Sequence, residues 1–491
     1  MSRMNKFKIL FYSLSIITAG VLILYGLNVF PVPGTDSIVF IPPALLFSKG
    51  YGLTNPLYYV TRFTDLTHTN RFNYYVPFYS LLLGFLGKIN PGIKTIFLFC
   101  ALFSTANLLL YMRVITSFLK EKIRPWPQIL LLLSVTYIAT YLLPTVGRPE
   151  NLTSLLVFLV YILYRKRENY RPLVYNLFVI ILFSLILATQ LICFYFCFLF
   201  FVTYELLNTK NVPRTIGVNA VRFLVVLAGF CIVLSLSPNG LVNTINGISI
   251  HVSYVFGRSD RSLSLFIHYW LLAPLNLGFV FIFILSTIYY IKELYTRLKS
   301  VPLLNSVLIV LTQAMVLLGF IQFILYGAPT VYNATEFILP ITTYLVLNIL
   351  FAAKTGTNRC LFITTLITYV AGSLLFLRSI ILFIDYKNDG KDYDHAKTLV
   401  SSLTKNYPGM FVTNSLWSLY DNPNDARIFN DLDFKKGDVI IIQQVNHRFP
   451  QALVNKCTTI YDWRTAETNE FLGMKLANRP QGYGFMVCKV N

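Results

Sequence analysis

The chain has 491 residues, of which 55% are apolar and only 13% charged, and its mean hydropathy is +0.61. A soluble domain carries about 25% charged residues, so this composition excludes a cytoplasmic enzyme and a disordered chain and places the protein in a bilayer. The 41 Lys and Arg against 21 Asp and Glu give a formal charge of +20. The basic residues sit at the ends of apolar runs, so they read as membrane topology rather than as a nucleic-acid surface.

The charge is unevenly divided. Residues 385–491 hold 13 basic and 12 acidic residues, whereas residues 1–384 hold 28 and 9. The sequence therefore predicts a membrane domain over 1–384 and a water-soluble domain over 385–491.

The first apolar run, Ile9–Phe30, follows the basic start MSRMNKFK and is long enough to cross. It ends in Asn28, Phe30 and Pro31 without a small-residue cleavage site, which reads as an uncleaved anchor. Further apolar runs lie near 93–118, 128–144, 151–164, 173–188, 191–207, 215–236, 271–291, 301–326, 336–353 and 360–384. With the first they make about eleven spans. The stretch 173–207 is divided at Thr189–Gln190, because one straight helix of that length would overshoot the bilayer.

Counting alternately from an inside N-terminus, the inner loops are the start (Arg3, Lys6, Lys8), Lys120–Arg124, Arg165–Arg171, Lys210–Arg214, Lys292–Lys299 and Lys354–Arg359. All are basic, as cytoplasmic loops are. The count requires Tyr74–Ile89 to lie at the interface rather than cross. It leaves 31–92 as a long first outer loop and puts the C-terminal domain outside.

In that domain, Asp394–Tyr407 has helical spacing, with Ala396, Leu399 and Leu403 on one face, and Pro408–Gly409 stops it. Strands are expected over Met410–Thr413, Asp438–Val445, Thr458–Trp463 and Phe485–Val490, which gives a small α/β domain. Cys457 and Cys488 are the only cysteines there. They fall at the edges of strands expected to be neighbours, and a disulfide between them suits an oxidising outer compartment.

Few residues in the outer loops can carry chemistry. Asp36 lies a few residues past the first run among apolar neighbours; it reads either as a helix cap before SIVF or as a functional carboxylate. In the turn Val146-Gly-Arg-Pro-Glu-Asn151, Glu150 suits the start of a helix and pairs naturally with Arg148, while acids at membrane depth are also functional suspects. Outer basic residues, Arg62, Arg71, Arg148, Arg258 and Arg261 among them, either snorkel to lipid phosphate or grip an anionic substrate. No Walker loop, GxGxxG, HExxH or GxSxG is present. His68, His251 and His268 lack ligand spacing with Asp65 or Asp260, so no metal or other cofactor is expected.

The segment PGTDSIVFIPPALLFSKGYGLTNP resembles the first outer loop of the GT-C superfamily of membrane glycosyltransferases, which includes the protein O-mannosyltransferases and the lipid A aminoarabinose transferases. NYYVPFYSLLLGFLG is similar to their second interfacial helix, GRPENL to the acidic turn between the third and fourth spans, and FVTNSLWSLYDN with DVIIIQQ to their outer C-terminal domain. Two family features are absent: a second acid directly after Asp36, where Ser37 and Ile38 stand, and a His-Pro-Pro before the second interfacial helix.

The resemblance implies a GT-C-like helical membrane fold in a bacterial cytoplasmic membrane. It implies transfer of a hexosyl or pentosyl group, with inversion, from a polyprenyl-phosphate donor to a lipid, glycan or protein hydroxyl on the outer face. A phosphate leaving group needs cations more than a strong acid, and one carboxylate suffices to take the acceptor proton. Asp36 is the expected base, with Glu150 as second candidate and the five arginines as candidate phosphate ligands. Alternative readings are a transporter or lipid flippase, and a surface-glycan polymerase or ligase.

Overall fold

The computed structural model describes residues 3–28, 37–53, 76–118, 125–209, 211–236, 240–242, 244–245, 274–299, 306–311, 313–314, 331–352, 359–388, 398, 402, 410–412, 426–428, 436–437, 439–443, 457–464, 469–471, 474–476 and 484–491. The principal helices are α1 (Arg3–Asn28), α2 (Ser37–Ser48), α3 (Phe78–Gly87), α4 (Ile93–Phe118), α5 (Pro125–Leu142), α6 (Glu150–Arg165), α7 (Pro172–Leu187), α8 (Leu191–Leu207), α9 (Val212–Ser235), α10 (Pro274–Leu298), α11 (Val331–Ala352) and α12 (Arg359–Asn388). Five stretches among the described residues are long and apolar enough to cross a membrane: Lys6–Leu27, Ile93–Ser117, Val212–Ser235, Leu277–Leu298 and Phe362–Ile381. The protein is thus a mostly helical membrane protein with a small C-terminal sheet.

Helix boundaries follow local chemistry. Asn211 caps α9 by accepting from the Arg214 N–H at 3.1 Å, and Pro213 sits in the first turn, where its missing N–H costs nothing. Pro172 opens α7 in the same way. The break at Thr189–Gln190 is present: α7 ends at Leu187, and Gln190 is extended before α8. Large apolar side chains lie bare along one side of several helices, among them Ile16 and Ile17 on α1, Leu173 and Leu177 on α7, and Leu224 and Ile232 on α9. Such surface is tolerated where lipid covers it.

Two apolar clusters share α4. The first half of α4 (Ile93, Ile96, Phe97, Cys100) packs with α2, α3, α6, α7 and α8, a cluster that also takes in Val439 and Val487 of the sheet. The second half (Leu108, Tyr111, Ile115) packs with α1, α5, α10, α11 and α12. Helix α3 has ten residues and spans about 15 Å, half the thickness of a hydrocarbon core.

It lies on α2 through Gly84, where a Cβ would come within 2.8 Å of both the Ala44 carbonyl and the Phe47 ring. Ser80 adds a hydrogen bond to the Phe40 carbonyl at 2.9 Å. The Lys88 ammonium lies 4.8 Å from the Phe47 ring centroid.

The sheet is built from β1 (Met410–Val412), β2 (Ala426–Ile428), β3 (Val439–Gln443), β4 (Cys457–Arg464) and β7 (Gly484–Val490), in the order β2-β1-β3-β7-β4. Strands β2, β1 and β3 run parallel, and β7 is antiparallel to both β3 and β4. A separate hairpin pairs β5 (Asn469–Phe471) with β6 (Met474–Leu476). Four strands fall where the sequence places them, and β2, β5 and β6 are additional. Of the expected helix over Asp394–Tyr407, Thr398 and Ser402 are described and helical; its other residues lie outside the described residues.

The α2–α3 contact makes a direct prediction. Gly84→Leu should destabilise the protein by about 1–3 kcal/mol through overpacking against backbone. The change should read as a lowered thermal midpoint in detergent. Phe85→Leu, on the exposed side of α3, is the neutral control. An unchanged midpoint for Gly84→Leu would contradict the packing.

Candidate functional site

The site begins where α5 ends. After Leu142 the chain makes tight turns, with Val146 N–H bonded to the Leu143 carbonyl at 3.3 Å and Arg148 N–H to the Thr145 carbonyl at 3.0 Å. Gly147 takes φ 92°, a conformation that side chains with a Cβ resist. Pro149 then leads into α6 with φ −67°.

These constraints put Arg148 and Glu150 side by side. Arg148 Nη2 lies 2.8 Å from Glu150 Oε1 and Nε 3.2 Å from Oε2, a forked ion pair. Both residues are buried, at 7% and 2% exposure. The pair read from the sequence as local is therefore present, and it is enclosed.

Asn151 ties this turn to α4. Its Oδ1 accepts from Thr145 Oγ1 at 2.7 Å, and its Nδ2 donates to Ser104 Oγ at 2.5 Å and to the Leu142 carbonyl at 3.2 Å. Its carbonyl accepts from Asn107 Nδ2 at 2.7 Å. The sequon Asn151-Leu-Thr is thus buried and engaged, not a glycan acceptor.

Above the turn, the Tyr79 hydroxyl of α3 donates to Cys100 Sγ at 3.2 Å, and the same sulfur is hydrogen-bonded by the backbone at Gly147. The Tyr79 ring meets Phe40 of α2 edge-on at 5.8 Å. Helices α2 and α3 therefore form a roof over the turn.

A third side comes from the α7–α8 junction and α11. The Phe78 N–H of α3 bonds the Ala188 carbonyl at 3.3 Å. Two residues on, Gln190 Nε2 donates to Glu336 Oε1 at 2.7 Å, and the Cys193 thiol hydrogen-bonds the same carboxylate. Glu336 is 2% exposed. Pro340, four residues later in α11, has no N–H to return to the Glu336 carbonyl. The neighbouring Thr335 Oγ1 donates to the Tyr141 carbonyl at 3.1 Å. Glu336 lies within electrostatic reach of Glu150 and Arg148.

Among the described residues this centre gathers one guanidinium and two carboxyl groups. A second buried ion cluster has a different make-up. Arg222 of α9 meets Glu205 of α8 at 2.6 Å, bonds Asn219 and Asn176, and lies 5.7 Å and 5.5 Å from the Tyr175 and Phe201 rings. That cluster is neutral and reads as a clamp joining α7, α8 and α9. Beside the Arg148–Glu150 pair, Glu336 adds a second buried carboxyl group, and such a group is able to exchange a proton or hold a hydroxyl.

Of the residues singled out from the sequence, Arg148 and Glu150 belong to this centre. Asp36, Arg62, Arg71, Arg258 and Arg261 lie outside the described residues; Asp36 directly precedes Ser37, the first residue of α2. Sequence reasoning missed Glu336. Its signal was available: it is one of nine acids in residues 1–384 and stands inside an apolar run, where acids default to function. Among the described residues, no group of three or more His, Cys, Asp and Glu side chains gathers to hold a metal ion. No protein-family model matches the chain, and no curated protein is significantly similar to it.

Breaking the forked pair tests its environment. Arg148→Met leaves Glu150 buried without its cation and should cost about 3–5 kcal/mol. Arg148→Met with Glu150→Leu should recover most of that loss. Thermal unfolding of both variants in detergent is the measurement, and equal destabilisation by the two would show that the carboxylate is not confined as described.

Proposed function

We propose that the protein is a polyprenyl-phosphate-sugar-dependent glycosyltransferase of GT-C-like layout in a cytoplasmic membrane. In this reading about eleven spans cross the bilayer, the N-terminus lies inside, and the sheet domain lies on the outer face. The observation that carries the reading is the enclosed polar centre of Arg148, Glu150 and Glu336, roofed by α2 and α3. The roof helix α2 follows Asp36 directly, so the expected base is joined to the cover of the polar centre.

The proposed reaction is a single displacement. Asp36 accepts the proton of an acceptor hydroxyl, and the hydroxyl oxygen attacks the anomeric carbon. The bond from that carbon to the phosphate oxygen breaks, and polyprenyl phosphate leaves with inversion. Cations among Arg62, Arg71, Arg148, Arg258 and Arg261 hold the departing phosphate. The acceptor is a lipid, glycan or protein hydroxyl, and no metal is needed. A second reading, an ion-coupled transporter, is favoured by one observation: Glu336 is buried within the apolar helix α11, and acids inside such helices mark ion and proton pathways.

Two experiments bear on this. With labelled polyprenyl-phosphate sugar in proteoliposomes, the wild-type protein should transfer label to a hydroxyl acceptor. Asp36→Asn, which keeps a capping oxygen, should transfer at least about 100-fold more slowly while retaining donor lipid. Near-wild-type transfer by Asp36→Asn would reduce Asp36 to a cap and make Glu150 the next candidate, and absence of transfer by the wild type would favour the transporter. For sidedness, a reporter active only outside the cytoplasm should work when fused after Asn491 and be silent after Lys299; the reverse would overturn the layout.

A further inference from the structure

The sheet carries a chemical feature unrelated to the transfer reaction. Among the described strands, β4 is an edge strand, hydrogen-bonded to β7 alone. In their antiparallel register Cys457 faces Val490 and Thr459 faces Cys488. Directly opposed residues project from the same side of a sheet, so Cys457 and Cys488 lie diagonally across one face. Their thiols are in hydrogen-bonding contact, and both are unbonded in the structure. The register shifts between Thr459 and Tyr461, so the edge strand is irregular beside Cys488, where local twist and give are greatest.

We propose that Cys457 and Cys488 form a redox-active pair that closes to a disulfide by exchange with a disulfide-bearing oxidant and staples the edge strand β4 to β7.

Exposure fixes the order of events. Cys457 is partly exposed, whereas Cys488 is fully buried. Burial pushes the Cys488 thiol well above its ordinary value, so it stays protonated at neutral pH. Cys457, as its thiolate, attacks one sulfur of the oxidant. The oxidant's disulfide breaks, one of its sulfurs leaves as a thiol, and a mixed disulfide forms. Cys488 then gives up its proton and attacks Cys457 Sγ, expelling the second oxidant sulfur, which takes that proton. Two protein thiols are oxidised and one external disulfide is reduced to two thiols.

The product spans the β5–β6 hairpin, since residues 457 and 488 enclose 469–476. The staple therefore restrains the chain between the two cysteines as well as the edge of the sheet. It depends on no assumption about the reaction in the membrane.

The test uses the full-length protein in detergent. After incubation with oxidised glutathione at pH 8, alkylation without reduction should leave positions 457 and 488 unlabelled, and digestion should yield one peptide pair joined through them. Cys231, which is exposed on α9, reports whether the alkylating reagent reached free cysteines. Cys488→Ser should leave Cys457 labelled or glutathione-capped, and limited proteolysis between 464 and 484 should be slower in the oxidised wild type than in the reduced. Alkylation of both Cys457 and Cys488 in the oxidised wild type would overturn the proposal, as would glutathione capping of Cys457 that Cys488 never resolves.

Discussion

Helices α5 to α8 are 16 to 18 residues long, about 24–27 Å at 1.5 Å per residue, and a hydrocarbon core is about 30 Å thick. Helices of this length cannot carry both of their ends clear of such a layer. Where the turn between two of them is enclosed, as it is after α5 and after α7, its backbone groups must be met from within the protein, since lipid offers no hydrogen bonds. Much of the polar chemistry of this molecule follows from that constraint. At the α5–α6 turn the Asn151 carbonyl accepts from Asn107 and the Leu142 carbonyl from Asn151. At the α7–α8 junction the Ala188 carbonyl accepts from the Phe78 N–H.

Once short helices create buried turns, the turns become places where charge can be kept. A turn braced by amides can hold a carboxylate that an all-apolar helix surface cannot, and so can polar side chains set into facing helices, as Asn219 and Arg222 of α9 hold Glu205. The two buried ion clusters show the range. Around Arg222 and Glu205 the donors and acceptors close on one another, and removing either partner would leave a bare charge. Around Arg148, Glu150 and Glu336 the hydrogen bonds are equally direct, and a second buried carboxyl group stands beside the pair. Buried carboxyl groups gathered in this way are common where a proton or a ligand is handled.

How much of this was legible in the sequence depended on the length of the pattern. Long apolar runs announced the helices, and the break at Thr189–Gln190 followed from geometry alone, because the 35 residues of 173–207 do not fit one crossing. Helix α3 was readable as short for the same reason. The Arg148–Glu150 pair was readable because two residues apart across a proline is a local matter. Glu336 stood out as a rare acid in an apolar run, but its place in the centre was not readable, because its partner Gln190 is 146 positions away. Strands β2, β5 and β6 have three residues each and show no alternation of their own; β1 is as short, but the Pro408–Gly409 stop before it marked where it begins. The polar roles of Asp36 and of the outer-loop arginines rest on the sequence and on the proposal built from it.

The sharing of α4 between the two apolar clusters has a thermodynamic consequence. A helix whose first half belongs to one core and whose second half belongs to the other cannot be lost from either without stripping both. The membrane body should therefore melt as one cooperative unit rather than as two, and partial openings should be confined to elements outside that shared rod, such as the peripheral face of α9 and the far end of α10.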